Sequence, residues 1–75
     1  MNNKTLLVKK LRAVKVDNWR DQTDFTRRDD HPEGKIFYER KHFDSYTPAL
    51  ITPEQMMKDI VNYKEAGYRL VLLEK

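Results

Sequence analysis

The chain has 75 residues, 39% of them hydrophobic and 36% charged, with a formal net charge of +3 and no cysteine. That length allows a single domain, residues 1–75, whose core buries only roughly 60% of the surface the unfolded chain exposes. The missing cysteines exclude disulfide frameworks, zinc ribbons and zinc fingers, and no apolar run approaches the ~20 residues of a membrane-spanning helix.

Charge is uneven along the chain. Residues 1–16 carry five bases (Lys4, Lys9, Lys10, Arg12 and Lys15) and no acid. Residues 17–34 hold six acids against Arg20, Arg27 and Arg28, and residues 35–43 turn basic again through Lys35, Arg40 and Lys41 against Glu39. Such alternation is a weaker electrostatic footprint than a continuous basic stripe, and suits a partner of mixed charge at least as well as a phosphate backbone. The apolar stretch Leu6-Leu7-Val8 is too short for a signal peptide. A cytoplasmic protein without membrane association is therefore the expectation.

Residues 5–16 carry two patterns. Leu7, Leu11 and Val14 fit one face of a helix, whereas Val8, Val14, Val16 and the Val-Lys-Val alternation favour a strand, with a bulge near Lys9-Lys10 restoring the period. The strand reading is preferred. Residues 17–34 are polar apart from Trp19 and Phe25 and read as a long, mobile loop. His31-Pro32-Glu33-Gly34 has the composition of a tight turn, and leads into a second strand over 35–43, rich in aromatic and β-branched side chains.

Thr52-Pro53-Glu54-Gln55 opens a helix over 53–66. Thr52 is the N-cap, Pro53 takes the first helical position, and Gln55 closes a capping box. Met56, Ile60 and Tyr63, flanked by Met57 and Val61, make the apolar face. Gly67 supplies the stop, with Tyr68 packing back on Tyr63. A last strand follows over 68–73, where four consecutive aliphatics predict cover on both faces. One helix covers one face only, so Val71 and Leu73 need the N-terminal segment, the loop or a second copy, and a homodimer is expected.

The assembled expectation is an α+β domain of order β-β-α-β, one helix on a three-stranded sheet. Strands 5–16 and 35–43 would form a hairpin, with the last strand beside the first.

The search for chemistry finds little. His31 within Asp29-Asp30-His31-Pro32-Glu33 offers metal-ligating types, but without finger, helical or calcium-loop spacing it reads as a solvated turn. His42 and Asp44 lack a nucleophile at triad geometry, since Ser45, the only serine, is too close in sequence. Asp30 ahead of Glu39-Arg40-Lys41 has the order of the Asp…Glu-x-Lys constellation of metal-dependent nucleases. Any charged strand yields Glu-x-Lys by chance, and such sites need a deeper scaffold. Gly34 and Gly67, the two glycines, are both taken by turns, which leaves no phosphate loop. No cofactor, metal or catalytic residue is expected.

Binding surfaces are the better prospect. Trp19, Arg20, Phe25, Arg27, Arg28, Tyr38, Arg40 and Lys41, with Lys35 and Phe43 on the same strand as the last three, are the candidate contacts for a protein partner, because arginine interleaved with aromatics dominates interface hot spots. The first expectation is thus a non-catalytic module that regulates or inhibits a larger protein. Small charged domains of this kind are common among accessory proteins of phages and mobile elements, an association from size and composition only. The alternative is nucleic-acid binding through Lys9, Lys10, Arg12, Lys15, Arg27, Arg28, Arg40 and Lys41.

Overall fold

The computed structural model describes residues 8–30 and 33–75. The order is β1 (Lys10–Lys15), β2 (Asn18–Arg28), β3 (Phe37–His42), β4 (Ala49–Ile51), α1 (Pro53–Glu65) and β5 (Tyr68–Glu74). The strands form one sheet in the order β4-β3-β2-β1-β5, and every pairing is antiparallel. The class is α+β, but the sheet has five strands rather than three.

The two added strands explain the topology. Residues 18–28, read from sequence as a loop, form the longest strand and lie at the centre of the sheet. Strands β1 and β3 are therefore not hairpin partners, because β2 runs between them and pairs with both. Along the buried face of β2 stand Thr23, Phe25 and Arg27, and Phe25 is the only apolar one. Its other face carries Gln22, Asp24, Thr26 and Arg28, so no hydrophobic alternation marks it. Strand β4 is only three residues long and lies between Pro48 and Pro53. The predicted pairing of the last strand with the first holds, and its irregularity falls between Lys10 and Leu11, beside the expected bulge. The part of that first strand assigned to residues 5–7, and the His31-Pro32 pair of the predicted turn, lie outside the described residues.

Helix α1 begins as its sequence demands. The Thr52 hydroxyl accepts from the Gln55 amide at 3.1 Å. The Gln55 side chain, however, does not return to Thr52 but donates to Asp59 at 3.0 Å, so only half of the capping box is made. At the other end Gly67 has φ 89°, the left-handed conformation a glycine adopts without Cβ strain. Tyr68 beyond it packs on Tyr63 with ring centroids 4.7 Å apart. Thirteen residues at about 1.5 Å each span about 20 Å, the width of a five-stranded sheet with gaps near 4.8 Å. The helix thus leaves one edge, β4, crosses the sheet, and delivers the chain to the opposite edge.

One face of the sheet meets this helix. Leu11, Ala13, Phe25, Tyr38 and Ile51 from the strands pack with Met56 and Ile60 of the helix, and Val8, Tyr63, Tyr68 and Leu70 close around them. Of the flanking helical residues, Met57 is half-buried and Val61 exposed. No helix among the described residues is long and apolar enough to cross a membrane. Among the described residues, no element packs on the second face of the sheet.

Candidate partner-binding surface

Cross-strand partners share a face, so the register assigns each charged side chain. Arg12, Asp24 and Lys41 lie in one row on the bare face, and Thr26, Glu39 and Leu50 in the next. Ion pairs link neighbouring strands there. Arg12 grips Asp24 with two hydrogen bonds, of 2.8 and 3.1 Å, which holds its guanidinium pKa above the ordinary value. Arg28 bonds Asp30 and Glu39 together. The two carboxylates of the nuclease-like order are thus brought near each other around an arginine, and Lys41 follows Glu39 on the same face.

The residues nominated as partner contacts do not form one patch. Phe25 and Tyr38 are fully buried, and the Tyr38 hydroxyl donates to the Val8 carbonyl at 3.1 Å. Burial also raises the Tyr38 pKa. Arg40 stands on the helix-covered face and donates to Asp59 of α1 at 2.5 Å. Arg27 shares that face, its guanidinium 3.4 Å from Asp29. Arg28 lies on the bare face at the far end of β2. Trp19, Arg20 and Lys41 remain exposed, near the β1–β2 turn.

The nucleic-acid set is divided in the same way. Lys10, Arg12, Arg28 and Lys41 belong to the bare face, Arg27 and Arg40 to the covered one. Lys15 sits 5.2 Å from the centroid of the Tyr68 ring, and Lys9 is exposed just ahead of β1.

The best-built exposed feature is at the β1–β2 end of the sheet. Trp19, the only tryptophan, is 61% exposed yet held from three sides. Its carbonyl accepts from the Gln22 side chain at 2.7 Å, the Arg20 guanidinium lies 5.3 Å from its ring, and the Phe43 ring meets it edge to face at 5.3 Å. Phe43 is carried there because its amide donates to the Gln22 carbonyl at 2.9 Å, extending the β2–β3 ladder one step past His42. Val16 adds further exposed apolar surface. Two open grooves flank the pair. Arg12, Gln22, Asp24, Lys41 and Phe43 line one; Val14, Val16, Trp19 and Arg69 line the other. The sequence pointed to Trp19, Arg20 and Phe43, whereas the contact between Trp19 and Phe43 needed the register.

A polar cluster lies nearby, on the helix side. Thr23 Oγ1 is 2.6 Å from His42 Nδ1 and 3.0 Å from the Tyr63 hydroxyl. A hydroxyl beside an imidazole has the parts of an activated nucleophile; Thr23 is 3% exposed and lines an open groove together with His42 and Tyr63. The cluster ties β2, β3 and α1 together. No group of three or more potential metal ligands gathers among the described residues.

Comparison with protein-family models, with curated proteins and with solved structures gives no match.

Proposed function

We propose that this protein is a non-catalytic binding module that regulates or inhibits a larger protein, and that it grips its partner through the Trp19–Phe43 end of the bare sheet face. The observation that carries the reading is an aromatic pair left in solvent yet fixed in place. Tryptophan and arginine on a preorganised surface lose little conformational entropy on binding and contribute much buried area. The grooves beside the pair offer charged and apolar walls together, which suits a protein surface. Several cations that would neutralise phosphate are instead matched to acids, Arg12 to Asp24 and Arg28 to Asp30 and Glu39, which disfavours nucleic acid.

The test is affinity capture from lysate of the native host, with and without nuclease, using the wild-type chain and a Trp19→Ala, Phe43→Ala double variant. A protein that binds the wild type, survives nuclease and is lost with the double variant supports the reading. Capture that nuclease abolishes, with affinity falling steeply as salt rises, favours nucleic acid. Capture indifferent to Trp19 and Phe43 removes this surface.

A further inference from the structure

The sheet ends in two unlike edges. Strand β4 is three residues long and bracketed by prolines, the kind of edge that resists pairing with another chain. Strand β5 is seven residues long, contains no proline, and among the described residues pairs with β1 on one side only. Its outer side is a row of backbone donors and acceptors, flanked by Leu72 and Leu73, which are 46% and 39% exposed. Natural edge strands this long and apolar are ordinarily protected by charge, bulge or cover.

We infer that the outer edge of β5 pairs antiparallel with β5 of a second copy, joining two sheets into one of ten strands about a two-fold axis at Val71. Val71 is the midpoint of Tyr68–Glu74, so centring the axis there uses every residue of the strand. Leu70 then stands opposite Leu72 of the other copy, two apolar side chains on one face. The charges choose the direction. With the axis at Val71, antiparallel strands bring Arg69 of one copy opposite Leu73 and next to Glu74 of the other, whereas parallel strands in register set Arg69 opposite Arg69 and Glu74 opposite Glu74. The seam shares Arg69 with the groove beside Trp19 but includes neither Trp19 nor Phe43, so each proposal is tested by its own variants.

A chain without cysteine permits a clean test. Residues on the axis face their own copies with Cα atoms about 4.5–5.5 Å apart, within disulfide range. In the full-length Val71→Cys variant, oxidised glutathione takes the two electrons as two thiols join, and a covalent dimer forms. Arg69→Cys, well off the axis, should cross-link at least about tenfold more slowly, because its copies lie beyond disulfide reach. Adding Leu72→Lys and Leu73→Lys to Val71→Cys should suppress cross-linking while leaving circular dichroism unchanged, since both side chains are exposed. Sedimentation of the wild type should show a dimer that grows with concentration. A wild type that stays monomeric at its highest soluble concentration overturns the proposal, as do equal rates for the two cysteine variants. Dimerisation that survives the paired lysines does the same.

Discussion

Arg40 of β3 and Asp59 of α1 face each other across the layer between sheet and helix, 2.5 Å apart, with most of both side chains withdrawn from water. The contact turns a residue that looks like a binding arginine into one that docks the helix. Asp59 also accepts from Gln55 on its own helix, while the Arg40 Nε is buried with no hydrogen-bond partner among the described residues. Removing one charge strands the other, which costs roughly 2–3 kcal/mol. Asp59→Asn and Arg40→Met should each lower stability by about that much in urea unfolding. The double variant Arg40→Met, Asp59→Leu should recover most of the loss, because an apolar pair leaves no stranded charge. A double variant as unstable as the sum of the singles would show that the pair does not act as a unit.

Phe25 and Trp19 lie on the same strand and should behave in opposite ways. Phe25 is fully buried and touches Tyr63 edge to face at 6.3 Å, so Phe25→Ala should cost roughly 3–5 kcal/mol, a large share of the stability of so small a domain. Trp19 is mostly exposed, and Trp19→Ala should cost no more than about 1 kcal/mol, the worth of its contact with Phe43. Equilibrium unfolding followed by circular dichroism checks both. A costly Trp19→Ala would place this ring in the scaffold rather than on the binding surface.

Tyr68 supplies a pH dependence. Its hydroxyl donates to Asp21 at 2.7 Å, and this bond, with lesser help from burial and the Asp21 charge, pushes its pKa up to about 12. The folded value lies above the unfolded value near 10. The contact therefore contributes its full stability below about pH 10 and loses it as the pH climbs toward about 12. Solvent screening at this exposed site keeps the effect small. In Asp21→Asn the Tyr68 transition, read from tyrosinate absorbance, should move down toward 10. A transition that stays in place would assign the shift to another cause.

Much of the fold's second half was legible because it rests on local chemistry. Thr52, Pro53 and Gly67 mark the ends of α1 by which backbone groups they satisfy and which torsions they allow. Met56 and Ile60 repeat at the period that buries them. The candidate surface was only half legible. Trp19, Arg20 and Phe43 could be singled out by residue type, but Phe43 meets Trp19 through a ladder hydrogen bond between β2 and β3. Phe25, Tyr38 and Arg40 carry the same residue types yet point into the layer beneath the helix.

By itself, then, the sequence determined the class, the helix with its caps, and the strand that follows it, since each depends on side chains a few positions apart. Only the tertiary structure decided that residues 18–28 are the central strand. A strand whose covered face holds Phe25 between Thr23 and Arg27, with polar residues on the other face, carries no apolar alternation; it is recruited by the neighbours it pairs with on both sides. That recruitment also decides which arginines meet solvent and which are spent on the helix, because moving along a strand by one residue exchanges its faces.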